Sequence, residues 1–144
     1  MLVAEILRAK GAGVVTIVQT ETIEAAAKVL REKRFGSLVV RDRTGKIAGI
    51  ITERDIIRGI AEKGTASLSY KVDDLMTREV KTCKPADSIK DVMQLMAVRR
   101  VRHVPVVDNG ELVGLISSTD VVKFRLEERA SEVAVLRDIS RTRS

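Results

Sequence analysis

"GIITERD", residues 49–55, and "GLISSTD", residues 114–120, decide the fold of this chain. Each is a glycine, a short apolar run that can finish a buried strand, a hydroxyl residue (Thr52, Ser117) and, three positions on, an aspartate (Asp55, Asp120). Working outward, "VVTIVQTETIEAAAKVLREKRFGSLVVRDRTGKIAGIITERDII" lies over "VKTCKPADSIKDVMQLMAVRRVRHVPVVDNGELVGLISSTDVV". Thr16 falls on Thr82, Thr22 on Ser88, Ile23 on Ile89 and Leu30 on Met96, each 66 positions apart. Past the turn the offset is 65, because "RDRTGK" is one residue longer than "VDNGE". Upstream, "VAEILRAK" resembles "VDDLMTRE". A self-match of this length marks a tandem duplication.

Each copy reads as β-α-β-β-α. An extended piece around Thr16 or Thr82 precedes a helix capped by Thr22 or Ser88. Ile23, Ala26, Ala27 and Leu30, or Ile89, Val92, Met93 and Met96, recur there at helical spacing. A hairpin follows, "SLVVR" with "KIAGIIT" and "HVPVVD" with "ELVGLIS", the second closed by the two-residue turn chemistry of Asn109-Gly110. Thr52 or Ser117 ends the strand and starts a second helix. A linker is expected near "AEKGTASLSYK". At the far end Val122, Leu126, Ala130, Val133 and Leu136 carry the last helix well past the repeat, toward a frayed "SRTRS".

A unit of this size leaves one sheet face it cannot cover alone. The expected fold is therefore α/β of the α+β type: two pseudo-symmetric repeats packed sheet to sheet about a pseudo-two-fold axis, with an extended C-terminal helix. Divided by residue, the repeats occupy 1–66 and 67–126 and the helical extension 127–144.

Composition bounds the function. The chain has 144 residues, 44% hydrophobic and 32% charged, which suits a folded domain with an aliphatic core. No apolar run reaches the roughly 18 residues of a membrane span, and the N-terminus lacks a signal peptide's apolar stretch, so the cytoplasm is expected. Cys83, a single cysteine, can form no internal disulfide and no thiolate cluster, and is expected to be buried and inert. Lys and Arg outnumber Asp and Glu 26 to 20, for a net charge of +6. The positives are dispersed and aromatic stacking platforms are missing, so nucleic acid is not the expected partner. No nucleophile-base pair, metal cluster or Walker-type loop is visible, which argues against an enzyme.

The doubled G-h-h-[ST]-x-x-[DN] ending, the "RHVPVVD" strand and the "VDDLMT" lead-in resemble a pair of CBS domains, a Bateman module, over roughly residues 2 to 125. The resemblance implies two clefts that commonly bind AMP, ADP, ATP, NAD or S-adenosylmethionine. It also implies a homodimer, and a sensing role exerted on an effector protein.

Those clefts have a physical rationale. A helix N-terminus offers free N–H groups and a positive dipole end to phosphate, and Thr52 and Ser117 stand at such ends. Asp55 and Asp120 project carboxylates that can accept from both ribose hydroxyls. The same residues also fit a capping box, which would occupy them without any ligand.

Carried over residue by residue, the resemblance gives the second-half cleft Ser117, Thr119 and Asp120 for phosphate and ribose. Thr16 and Phe35-Gly36 would face adenine there, with Arg102 reaching the phosphates. The first-half cleft has Thr52, Arg54 and Asp55, joined by Thr82 and Val101-Arg102, and Arg54 supplies a forked donor for phosphate. Gly36 is the counterpart of Arg102, so the clefts are not expected to be equivalent. His103, the lone histidine, flanks the second cleft as a packing residue with no metal-ligand set around it. The competing reading is a structural or nucleic-acid-binding scaffold with empty clefts.

Overall fold

The computed structural model describes residues 1–11 and 13–142. In the first repeat, α1 (Val3–Lys10) is followed by β1 (Thr16–Val18), α2 (Ile23–Lys33), β2 (Ser37–Arg41), β3 (Ile47–Thr52) and α3 (Glu53–Lys63). A 3-10 turn over Gly64–Ser69 leads to α4 (Val72–Leu75), α5 (Ile89–Arg99), β4 (His103–Asp108), β5 (Glu111–Ser117) and α6 (Ser118–Thr142).

The duplication survives in detail. Thr22 Oγ1 accepts from the Ala25 N–H at 3.1 Å and Ser88 Oγ from the Asp91 N–H at 3.0 Å, so both repeats start their first helix with the expected cap. Both helices end on an arginine in the left-handed region, Arg34 at φ 57° and Arg100 at φ 54°. Both hairpins are antiparallel, and both slip register at one place, between Val40 and Arg41 and between Val106 and Val107. The second hairpin turns on Asn109 (φ 50°) and Gly110 (φ 80°), two positive φ values in succession as a tight hairpin turn requires.

One expected strand does not form. β1 pairs in parallel with β2, but around Thr82 only Cys83 bridges Val106. The Lys84 N–H is taken by the Asp87 carboxylate at 2.8 Å, and Pro85 has no N–H to offer, so pairing stops after one residue. The sheets therefore have three strands and two.

The segments that lead into each repeat are exchanged. α1 packs with the second repeat: Val3 and Ile6 share a core with Ile89, Val92, Met96, Val104, Val106, Ile116 and Val121. The Val3 and Ala4 N–H groups donate to the carbonyls of Asp87 and Pro85, and Ile89 N–H donates to Met1 O. α4 does the same for the first repeat, where Val72 and Met76 join Ile23, Ala26, Leu30, Leu38, Val40, Ile51 and Ile56. There Val72 and Asp73 donate to Glu21 and Gln19, and Ile23 donates to Tyr70. Each exchanged segment lies over a strand glycine: a Cβ on Gly114 would strike the Leu7 side chain, and one on Gly49 would meet Thr77 O and Met76.

These two cores occupy the helix-covered faces of the sheets. Val39, Ile50 and Pro105 alternate with those core residues, belong to neither core, and are buried all the same. They lie on the inner faces, where the sheets pack together as expected. The "AEKGTASLSYK" stretch is tighter than a loose linker, with Leu68 and Tyr70 packed on the first core. α6 continues to Thr142, through most of the stretch expected to fray; Arg143 and Ser144 lie outside the described residues.

Candidate functional site

At the start of α3, Asp55 N–H donates to Thr52 Oγ1 at 3.1 Å and Thr52 N–H to Asp55 Oδ2 at 3.0 Å. At the start of α6, Asp120 N–H donates to Ser117 Oγ at 3.1 Å and Ser117 N–H to Asp120 Oδ2 at 2.9 Å. Both motifs are thus capping boxes, and in each the next N–H, of Glu53 or Ser118, is taken by the carbonyl of Gly36 or Arg102. At the α6 end this leaves the Thr119 N–H without a partner among the described residues. A capping box thus coexists there with a donor left over for a ligand.

What lies outside the boxes differs. The α6 box opens on a cavity of about 820 Å³, between the repeats, lined by Phe35, Gly36 and Ser37 on one side and by His103, Ser117, Thr119 and Asp120 on the other. Lys10 closes one end: its Nζ donates to Asp120 Oδ2 at 2.8 Å and to Leu115 O at 2.9 Å. Lys33 and Arg34 border the Phe35 side. Burial works to raise the Asp120 pKa, but hydrogen bonds from Lys10 and Ser117 outweigh it and hold the carboxyl below its ordinary 3.8. Burial depresses the His103 pKa, against the pull of Asp120, so the ring favours its neutral form. It packs against Gly36, where an added Cβ would lie 3.3 Å from Nε2.

Ser37 was not singled out from the sequence. Its hydroxyl is buried with no hydrogen-bond partner, while the residue lines the cavity. An orphan buried donor is costly, and a ligand group is one way to satisfy it. Lys10 was missed too, because it sits 110 residues from the carboxylate it meets. A lysine at a helix end carries no such signal.

Of the residues expected in this cleft, the structure gathers Phe35, Gly36, His103, Ser117, Thr119 and Asp120 on one cavity. Thr16 is half-buried at the start of β1, beside Val14 and Val15, which do line the cavity, and Arg102 is exposed; neither is on the wall. The residues expected in the other cleft, Thr52, Arg54, Asp55, Thr82, Val101 and Arg102, all lie outside this cavity. There Asp55 is 4% exposed and faces Arg58 at 3.7 Å, while Arg54 and Thr82 are exposed. Cys83 is buried as expected, its thiol pushed up to about 12 by burial and by nearby Asp87.

The CBS domain family matches residues 3–62 and 72–127, the two repeats in turn. The chain belongs to the CBS domain family. Among solved structures, the CBS-domain containing protein ATU1752 from Agrobacterium tumefaciens is 41% identical, with a TM-score of 0.83 over 86% of this chain and 92% of that one. The CBS domain pair of protein MJ0100, solved in complex with 5'-methylthioadenosine and S-adenosyl-L-methionine, is 29% identical, with a TM-score of 0.79 over 89% of this chain and 98% of that one. Among curated proteins, the mitochondrial CBS domain-containing protein CBSX3 of Arabidopsis thaliana is 38% identical over 117 residues, 78% of this chain and 57% of the relative. The chain thus spans little more than half of that relative's length. No helix among the described residues is long and apolar enough to cross a membrane.

Proposed function

We propose that this CBS pair is a cytoplasmic regulatory module with no catalysis of its own, which binds an adenine nucleotide or nucleoside of the AMP, ADP, ATP or NAD type and alters an effector protein. The observation that carries this reading is the 820 Å³ cavity at the α6 N-terminus, with Asp120, Ser117, Thr119 and the orphan Ser37 hydroxyl around it. Asp120 takes the ribose hydroxyls, Thr119 and the helix N-terminus take phosphate, and Phe35, Gly36 and His103 flank the base. The adenosyl ligands of the MJ0100 pair support an adenosine-type occupant. Thr52, Arg54, Asp55, Thr82, Val101 and Arg102 form a second, weaker cleft, in a division of the chain at 66/67 with the extension from 127.

The module pairs with a second copy through α6. Val122, Leu126, Val133 and Leu136 form an exposed apolar stripe that a second α6 would cover.

Thermal unfolding with AMP, ADP, ATP and NAD tests the binding. A ligand at 100 times its dissociation constant adds about 2.7 kcal/mol if it binds only the folded state. No stabilisation by any adenosine derivative would overturn the reading.

A further inference from the structure

We infer that Lys10 is an internal counter-cation, displaced from Asp120 by the ligand's ribose and passed to its phosphate, so that the cavity selects phosphorylated nucleotides over neutral or cationic adenosyl compounds. This rests on the function proposed above and adds its specificity. Three cationic side chains, Lys10, Lys33 and Arg34, border the cavity against one carboxylate, Asp120. Only Lys10 is engaged with that carboxylate, at 2.8 Å. Lys10 and the Ser117 N–H both bond Asp120 Oδ2, while Oδ1 has no partner among the described residues. A ribose diol that spans both oxygens therefore competes with Lys10 for Oδ2, and the released ammonium is best satisfied by another anion in the cavity. A phosphate at the α6 N-terminus, within reach of the free Thr119 N–H, supplies one. Adenosine and a thioether such as 5'-methylthioadenosine supply none, and S-adenosylmethionine offers its one carboxylate only together with a sulfonium and an ammonium, which the cations around Lys10 disfavour.

The chain around Lys10 suits such a move. It is the last residue of α1 and is followed by Gly11 at φ 89°, with Gly13 at φ 102° just beyond, both in a region where glycine is at ease. The side chain is 41% exposed, so release needs no unpacking of the core. The first repeat has no equivalent. In the register that places Leu7 over Gly114 and Met76 over Gly49, Lys10 corresponds to Glu79.

Calorimetric titration of the whole chain with AMP, adenosine, 5'-methylthioadenosine and S-adenosylmethionine tests this, beside Lys10→Met and Lys10→Arg. AMP is expected to bind the parent protein at least about tenfold more tightly than the other three, the worth of one charge-assisted hydrogen bond. Lys10→Met should lose that margin by weakening AMP while leaving adenosine unchanged or tighter, and Lys10→Arg should keep it. Equal or tighter binding of 5'-methylthioadenosine or S-adenosylmethionine would overturn the inference and leave the adenosine site standing, as would Lys10→Met weakening AMP and adenosine alike. Failure of all four to bind would overturn the site itself.

Discussion

Two capping boxes of the same geometry have different surroundings. Around Thr52 and Asp55 the carboxylate is 4% exposed and faces Arg58; around Ser117 and Asp120 it is 20% exposed, held by a lysine from the far end of the chain, and opens on a cavity. The motif therefore specifies a helix start in both repeats. Whether that start can meet a ligand depends on what the rest of the chain leaves in front of it. Across the repeats Gly36 and Ser37 correspond to Arg102 and His103, Phe35 to Val101, Thr119 to Arg54 and Lys10 to Glu79, so the side chains in front of the two boxes differ at each of these positions.

The largest expected difference lies at the motif glycines. A Cβ on Gly49 would sit 2.5 Å from the Thr77 carbonyl, which is itself bonded to the Ile50 N–H at 2.9 Å. Backbone must move, so Gly49→Ala should cost about 3 kcal/mol in urea unfolding. At Gly114 the obstacle is the end of the Leu7 side chain, which can rotate, and Gly114→Ala should cost about 1 kcal/mol. Equal costs would break the distinction between the two lead-in contacts.

Next come the carboxylates. Asp120→Ala should weaken AMP binding by about tenfold to a hundredfold, the loss of charged hydrogen bonds, whereas Asp55→Ala should change it by less than about threefold. Both should lose the stability of a helix cap, about 1 kcal/mol. A reversed order of affinities would move the ligand to the first repeat.

A smaller effect is expected at the left-handed arginines. Arg34→Gly and Arg100→Gly should each raise stability by up to about 1 kcal/mol, because glycine adopts that conformation without a Cβ clash. Only Arg34→Gly should also reduce AMP affinity, since Arg34 borders the cavity.

The smallest is a pH effect confined to the second cleft. The Asp120 carboxyl is held below 3.8, so its contribution is present above that pH and is lost as pH falls through the folded value. His103 has its pKa lowered, so stability is full above 6.5 and declines as pH falls below it, while the unfolded chain takes up a proton the folded ring resists. His103→Gln should flatten the decline below pH 6.5 in unfolding curves; Ser37, at the matching position, cannot titrate.

Much of this was legible in the sequence because it is local. A cap and its N–H lie three residues apart, and the hairpin partners and the Asn109-Gly110 turn are near neighbours. The internal match then brought the same signals twice. The cavity wall was legible only through the family resemblance, which placed Phe35 and Gly36 opposite Ser117 and Asp120. What stayed hidden is long-range. Lys10 lies 110 residues from Asp120 and meets it only because α1 packs on the second repeat, and the Ser37 hydroxyl is notable only for the partner it lacks, which no residue pattern reports. Thr82 failed as a strand for a reason the sequence did contain: Pro85 and the side chain of Asp87 withdraw the donors a ladder needs.

The exchange of α1 and α4 bears on how such a chain can arise and be divided. In this arrangement the face of each repeat that receives a lead-in helix is filled by the helix of the other repeat, so two separate copies could hold each other by trading arms. Joining them in one chain keeps the trade and makes it intramolecular. A polypeptide cut near Gly64 would then yield two pieces that each carry the other's missing arm: α1, with Leu7, stays on the first piece, and α4, with Met76, on the second. Neither piece holds a complete core, and mixing them should restore both cores at once.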